Sequence, residues 1–521
     1  MSFTIPHLFD KTTKRIPNKT FIVDGDKKYS FIEASFYVNN FLIEFSKMNF
    51  CPGDRIGIYM EKSAAQVLAI IAIMHSNAVF VPILPNLKKQ NISHIIEDSG
   101  MKYIFSEKKR ISEINDLDLD IDVIDIPNIF SKMKEPIHEK TNKLDSTFRP
   151  LNTFNRICSD ISAIIYSSGS TGMPKGIMIT HRNLTDGAKI VAKYLGTVQN
   201  DRIACVLSFN FDYGLNQIWQ AIYTGASIYL HNLILPNDLL NFLSKNKITA
   251  LPLMPVIISR ITNPNFISFD NNFSFKHLRY ISSSGGRISI EMVQLLKKIF
   301  KNHKFYSMYG LTEAFRSTYL NPNDLDRKFN TIGKAIPNVE ILVLDENGNE
   351  SPVGVNGELV HRGGCIAKGY WNDDTKTKLR FRKHPKYPGE TLVYSGDIVF
   401  KDEEGFITFV GRNDLMLKSH GIRISPTEIE TIAEKFYLIE SAVVFGIDNI
   451  HTGQDIILAY TRKNQSVSFS KNDFLIFLRK NLPQHMIPKN LVEYTKFPVT
   501  GNEGKFDIVA IKDSYIANQD K

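Results

Sequence analysis

Short β-branched runs alternate with helix-periodic stretches through the first 330 residues. Arg55-Ile56-Gly57-Ile58-Tyr59 predicts a strand, residues 64–74 a helix, and residues 78–83 a second strand. The same rhythm returns at residues 202–207 and 227–230. Alternation of this kind predicts layered α/β sheets. The most apolar stretch, residues 67–74, stops at His75-Ser76-Asn77. It is too short to span a bilayer and predicts a buried helix. Residues 107–156 are polar and weakly periodic, which predicts a surface excursion. From Asn338 the texture changes to short strands and turns at residues 339–344, 357–361 and 405–410, a small β-rich subdomain of about 338–411. A further α+β unit follows. It has a helix at 426–432 with early acidic residues that suit the helix dipole, a strand at 441–446 and an amphipathic helix at 470–481. No internal repeat is visible.

A chain of 521 residues is expected to hold two to four domains. Its 43% hydrophobic and 22% charged residues are ordinary for a globular protein. The net charge of +9 is spread over short runs such as Lys108-Lys109-Arg110 and Lys376-Thr377-Lys378. Such a surface suits nucleotides, acidic carrier proteins or anionic lipid, although each cluster alone reads as solvated surface. No basic stripe is interleaved with aromatics, so no nucleic-acid partner is expected. Cys51, Cys158, Cys205 and Cys365 are widely spaced, without a C-x-x-C pair. That argues against structural zinc and against a disulfide framework. Residues 1–6 lack the basic and apolar regions of a signal peptide. A cytoplasmic protein without a membrane span is expected.

Residues 166–176 read YSSGSTGMPKG, with β-branched runs on both sides. A loop between two strands is expected. Gly169, Gly172 and Gly176 permit close backbone approach. Ser167, Ser168, Ser170, Thr171 and Lys175 then offer hydroxyls and one ammonium beside backbone N–H groups, an anion cradle. A plain hairpin turn would be shorter. A Walker loop needs Gly-Lys-Ser/Thr opening a helix, whereas Lys175 follows Pro174 and precedes a strand-like run. The dinucleotide fingerprint fails for the same lack of a following helix.

Four other stretches carry polar chemistry in order: Tyr309-Gly310-Leu311-Thr312-Glu313, Tyr394-Ser395-Gly396-Asp397, Gly411-Arg412-Asn413-Asp414 running to Lys418-Ser419-His420-Gly421, and Pro498-Val499-Thr500-Gly501-Asn502-Glu503-Gly504-Lys505. Singly each is a common turn. Together with YSSGSTGMPKG they resemble the adenylate-forming enzymes: acyl-CoA synthetases, luciferases and amino-acid-activating domains. The resemblance runs from about Phe9 to Asp507. It implies an ATP- and Mg2+-dependent ligase that joins a carboxylate to the α-phosphate, releases pyrophosphate, and passes the acyl group to CoA or a phosphopantetheine thiol. A carboxylate and a polyphosphate repel each other, so such a site must supply positive charge and fixed donors.

By resemblance, the 167–172 loop and Lys175 hold the β- and γ-phosphates, and Thr312 and Glu313 serve the α-phosphate and magnesium. Magnesium bound through phosphates needs few carboxylates. Tyr309 and Gly310 meet adenine, the Gly285-Gly286 turn approaches the base, and Asp397 with Arg412 takes the ribose. Lys505 is the electrostatic catalyst of adenylation, reaching the site when its domain closes. The implied organisation is an N-terminal adenylation domain at 1–411, a hinge at 412–416 centred on Asp414, and a mobile C-terminal domain at 417–521. Lys418 and Gly421 border the thiol tunnel. The family's usual arginine three residues after the catalytic lysine is Ile508 here.

The substrate region also departs from fatty acyl-CoA synthetases, which often carry a Phe-His pair. This chain has Phe211-Asp212-Tyr213-Gly214-Leu215-Asn216. Asp212 stands where amino-acid-activating relatives hold a substrate ammonium; an internal arginine or a helix N-terminus is the other partner a buried carboxylate can take. Arg316 can pair bidentately with a substrate carboxylate, or with Asp212 itself. With Asn216, Ser283 and Ser284 these residues suit a polar acid better than a long alkyl chain. The stretches around Tyr309 and Asp212 also look like acyl-CoA ligases accompanying exosortase systems, whose members tend to sit beside a small acyl carrier protein. A separate carrier is therefore an expected partner. A medium- or long-chain fatty acyl-CoA synthetase, a luciferase-like oxygenase and a non-catalytic nucleotide-binding protein are the alternatives. The last would be expected to lose Lys505 or Glu313, and both are present.

Overall fold

A computed structural model describes residues 3–85, 87, 89–117, 119–134, 156–167, 173–233, 236–262, 273–286, 288, 290–301, 303–412, 417–419, 421–424, 426–500 and 505–519. Two large sheets dominate. The nine-stranded sheet has the order Lys334–Ala335, Ala314–Leu320, Lys304–Leu311, Tyr280–Ser283, Ala250–Leu253, Arg202–Cys205, Ser227–Leu230, Thr20–Asp24, Lys27–Ser30. Its central strands are parallel and its two ends turn antiparallel. The six-stranded sheet has the order Asp122–Asp125, Tyr103–Ser106, Arg55–Tyr59, Val79–Pro82, Ile161–Ser167, Lys175–Thr180.

The helix Ala64–His75 is buried along its whole length, as its uninterrupted apolar run predicts. It belongs to one core with Phe21 and Ile203 of the first sheet and Ile56 and Phe80 of the second. Only a helix apolar on every face can sit inside such a stack.

The β-rich part is a five-stranded antiparallel sheet built on Val339–Leu344, Gly357–Gly363 and the long strand Thr391–Lys401. A separate five-stranded sheet follows, with Ile439–Asn449 and Gly453–Arg462 at its centre and its own apolar cores on both faces. The chain is thus the mixed α/β protein with a smaller C-terminal α+β part that the sequence predicts.

The polar stretch after residue 107 differs from its expected reading. Residues Lys108–Asn115 form a helix, and Asp122–Asp125 add an edge strand to the six-stranded sheet. An edge strand needs one paired side only, so four residues of mixed polarity suffice and leave little periodic signal. Residues 135–155 lie outside the described set.

One hydrogen bond ties the C-terminal part to the six-stranded half: Asn91 Nδ2 donates to Glu428 Oε1 at 3.2 Å. Burial pushes the Glu428 carboxyl up to about 7, against the opposing pull of that hydrogen bond. A carboxyl raised in the folded state contributes stability at low pH that is lost as pH climbs through the folded value. Glu428→Gln keeps an acceptor without the charge. It should raise the melting temperature by a few degrees at about pH 8 and hardly at about pH 5. Equal shifts at both pH values would contradict a charge effect. Among the described residues, no helix is long and apolar enough to cross a membrane.

Candidate functional site

The site is built at the carboxyl ends of the parallel strands, where loops and backbone donors converge. Lys304–Leu311 and Ala314–Leu320 pair as a hairpin, with Leu311 opposite Ala314. Thr312 and Glu313 are therefore its two-residue tip. Glu313 is buried. Its Oε1 accepts from the Tyr370 hydroxyl at 2.8 Å, and its carbonyl accepts from the Ala367 N–H at 2.9 Å. Burial and the neighbouring Glu313 push the Tyr370 hydroxyl well up, so it stays a donor.

Three cations gather around this pair. Lys175 lies opposite Ser167 across a strand pair, and its Nζ stands 5.8 Å from the centroid of the Tyr370 ring. Burial lowers its pKa, and the nearby charges of Lys376 and Arg380 lower it further, while Glu313 and Asp373 oppose them. Lys376 is paired with Asp373 at 2.5 Å, while Lys175 and Arg380 hold positive charge beside Tyr370 and Glu313, an arrangement that suits a polyanion. Ser168, Gly169, Ser170, Thr171 and Gly172 lie outside the described residues.

The Tyr309 hydroxyl donates to Asp397 Oδ2. Asp397 is buried, its N–H donates to Ser395 Oγ at 3.0 Å, and its backbone pairs with Arg412 across two strands. Of Arg412 only the backbone is described. The buried His361 ring lies parallel to Tyr309, 6.5 Å between centroids and 9° between planes. Burial lowers its pKa to about 4, so this histidine is a neutral plate at ordinary pH. Tyr309 thus joins a carboxylate suited to paired hydroxyls with a stack of flat rings.

The helix Asp212–Thr224 carries the third group of residues. A Cβ on Gly214 would lie 1.8 Å from the Ser208 carbonyl oxygen, so only glycine lets the helix start this close to the preceding chain. Asp212 sits deep among protein atoms yet keeps part of its surface open. Burial raises its pKa; Arg316 and a backbone hydrogen bond from Tyr213 pull it down, and Glu313 adds to the rise. Arg316 stacks on the Tyr213 ring, 4.2 Å from its centroid, and its Nη1 donates to Ser284 Oγ at 3.2 Å. The Tyr213 hydroxyl donates to the Ser282 carbonyl and shares a hydrogen bond with Ser282 Oγ, both at 2.9 Å.

Strand alternation puts Ser283 on the other face from Ser282, so the structure does not bring Ser283 into this set. Asn216 lies one turn beyond Asp212 and is fully buried. Phe211, at 37% exposure, stands at the helix start and faces outward more than the rest of the group.

Gly285 and Gly286 meet the C-terminal part here. A Cβ on Gly285 would lie 3.5 Å from the Gly421 carbonyl oxygen, and one on Gly286 3.8 Å from the Gly421 Cα. Gly421 has φ +74°, and a Cβ there would lie 2.9 Å from Met254 Cε. Lys418 holds its ammonium 5.5 Å from the Phe409 ring centroid. Of Lys505 only the backbone is described. Its backbone pairs with Thr500, beside Phe506, which packs on Phe497 of the C-terminal core. Asp414 lies outside the described residues. Gly421→Val would strain the backbone and crowd the approach to Gly285. It should slow a step that needs this contact by at least tenfold and leave a step made in another pose near wild type. Separate assays of the two half-reactions check this; equal loss in both would refute it.

Sequence reasoning missed Tyr213, Tyr370, His361, Lys376 and Arg380 as members of the site. Tyr213 directly follows Asp212 and is the one with a local signal, an aromatic beside a buried acid. The others come from strands and a helix far along the chain, so only tertiary packing reveals them.

Residues 9–371 match the family model described as AMP-binding enzyme. Surfactin synthase subunit 2 of Bacillus subtilis (strain 168) is 28% identical over 512 residues, covering 97% of this chain and 14% of that protein. The chain spans less than half the length of the first curated relatives it matches. The same fold is seen in a double mutant of o-succinylbenzoate CoA synthetase from Bacillus subtilis bound with a product analogue, with TM-score 0.84, 19% identity, and coverage of 97% of this chain and 98% of that one. It is seen again in NpsA-ThdA, an artificially fused adenylation–PCP di-domain from Klebsiella oxytoca, with TM-score 0.79, 21% identity, and coverage of 94% and 93%.

Proposed function

The chain belongs to the AMP-binding enzyme family, and on that premise we propose that it activates a polar or amino acid as an acyl-adenylate and passes it to a thiol, either CoA or the phosphopantetheine of a separate carrier protein. The single observation that carries this reading is the placing of Lys175 and Arg380 beside the Tyr370–Glu313 pair at the hairpin tip. It supplies the positive charge that a carboxylate needs to approach a triphosphate.

In this reading the 167–172 loop and Lys175 hold the outer phosphates, and Thr312 orients the α-phosphate. Tyr309, Gly310, Gly285 and Gly286 border the base, and Asp397 and Arg412 take the ribose. Glu313 fits a magnesium ion held mainly by phosphate oxygens, because it is one buried carboxylate at the hairpin tip. Such an ion would neutralise phosphate charge at the reacting centre. Tyr370, by donating to Glu313 Oε1, fixes the orientation of that carboxylate.

Two poses of the C-terminal part serve two half-reactions. Lys505 supplies charge in the first. Residues 412–416, around Asp414, act as hinge between a domain at 1–411 and one at 417–521. Lys418 and Gly421 border the thiol path in the second, and the approach of Gly421 to Gly285 supports that assignment. The relative fused to a PCP unit supports a carrier as acceptor. The need for ATP and a free thiol supports a cytoplasmic reaction.

The test is pyrophosphate release from ATP and Mg2+ across amino acids, dicarboxylic acids and fatty acids, followed by transfer to CoA or to a phosphopantetheinylated carrier. Acid-dependent pyrophosphate release followed by thioester is expected. Release that no acid stimulates would overturn the proposal.

A further inference from the structure

Beside the hairpin lies a buried cation that the protein leaves half-used. Arg316 is 3% exposed. Its Nη1 donates to Ser284 Oγ, and its face rests on Tyr213. Its Nε and Nη2 have no hydrogen-bond partner, although both are buried. These two nitrogens form one edge of the guanidinium, where two N–H vectors run side by side. That edge matches the two oxygens of a carboxylate. A buried charge with an idle bidentate edge is costly unless something fills it. Arg316 also has φ +60°, a strained conformation for a side-chain-bearing residue, which its site enforces.

The obvious internal partner is not engaged. No ion pair joins Arg316 to Asp212, although the two are close enough for Arg316 to pull down the Asp212 pKa. Asp212 keeps an open surface, and the same electrostatics link it to Glu313 at the reacting end. Asn216 lies on the same helix face as Asp212, four residues on. It is fully buried, and neither its Nδ2 nor its Oδ1 has a partner. The pocket therefore offers one open carboxylate, one bidentate cationic edge, and one amide able to donate and accept.

Building on the adenylation reading above, we propose that the acid activated here is an amino dicarboxylic acid. Its reacting carboxylate lies toward Thr312 and Glu313, its ammonium on Asp212, and its second carboxylate on the Nε–Nη2 edge of Arg316, with Asn216 filling the remaining polar space. Tyr213 is a positioning residue: its ring holds the guanidinium plane, and its hydroxyl is fixed by Ser282. An apolar or merely hydroxylated side chain would leave the Arg316 edge unpaired.

The experiment is ATP–pyrophosphate exchange with aspartate, glutamate, asparagine, glutamine, alanine, leucine and octanoate, on wild type and on Arg316→Gln and Arg316→Lys. Binding of AMP to each variant, followed by thermal shift, reports whether the nucleotide site and the fold survive. Wild type should favour one dicarboxylic amino acid over its own amide by about 10²-fold or more in kcat/KM. Arg316→Gln should lose that preference and favour the amide, while Arg316→Lys keeps part of it. A purely structural Arg316 would lower exchange with every acid alike, and that result would overturn the proposal. So would a wild-type preference for an amide or an apolar amino acid. Exchange with octanoate alone would overturn it and leave the ligase reading standing; exchange with none of these acids and with no acid of the wider screen would remove both.

Discussion

Lys505→Ala is expected to lose adenylate formation by at least about 10² to 10³ in rate, the scale for deleting one aimed charge at a reacting oxyanion. The same variant should still make thioester from a supplied acyl-adenylate at close to the wild-type rate. The asymmetry follows from position. In the structure Gly421 lies against the Gly285–Gly286 turn, while the backbone of Lys505 is held in a short hairpin on the C-terminal core, through Phe506 against Phe497. On the proposed two-pose reading Lys505 serves adenylation and Gly421 the thiol step, so loss of the lysine should separate the two half-reactions. Pyrophosphate release and acyl transfer, measured separately, decide the matter. A variant that adenylates at the wild-type rate would remove Lys505 from the mechanism. Equal loss in both half-reactions would show that the fold of the C-terminal part was damaged instead.

The layered α/β fold was legible because its buried elements carry strong local patterns. The helix Ala64–His75 and the strands Arg55–Tyr59 and Val339–Leu344 lie within a residue or two of their predicted positions. Weakly patterned elements were not legible. Asp122–Asp125 pairs on one side only, and its DVID sequence gives a strand no stronger signal than a loop. At the site, sequence identified the hairpin tip and Asp397 through ordered motifs, and the structure places Tyr309, Asp397, Thr312 and Glu313 on adjoining elements. It could not show that Tyr370 would reach back to Glu313, 57 residues away, or that Lys376 and Arg380 would crowd Lys175. Those contacts depend on how the β-rich sheet docks, which no local period encodes. Nor could it decide between Arg316 pairing with Asp212 and Arg316 facing a ligand. The structure shows Arg316 stacked on Tyr213 and donating to Ser284, without an ion pair to Asp212.

Asp212→Ala should cripple turnover of an ammonium-bearing acid and leave any uncharged acid the enzyme accepts nearly unaffected. Asp212 is a carboxyl whose pKa burial raises and Arg316 only partly offsets. Such a group gains by meeting a cation: a substrate ammonium stabilises its ionised form and offsets its desolvation cost. Deleting one partner of a buried pair costs roughly 3–5 kcal/mol, a fall of about 10² to 10³ or more in kcat/KM for the amino acid. An uncharged acid never draws on that interaction, so its kcat/KM should move by less than about threefold. Removing the carboxylate should also shift the balance of the pocket toward Arg316, so that a dicarboxylic acid without an amino group gains relative to the amino acid. The comparison needs one amino acid, its deaminated analogue and octanoate, each assayed by pyrophosphate release with wild type and variant. If wild type prefers octanoate and Asp212→Ala barely alters any of the three, then Asp212 serves the start of its own helix, and the pocket selects its acid by shape.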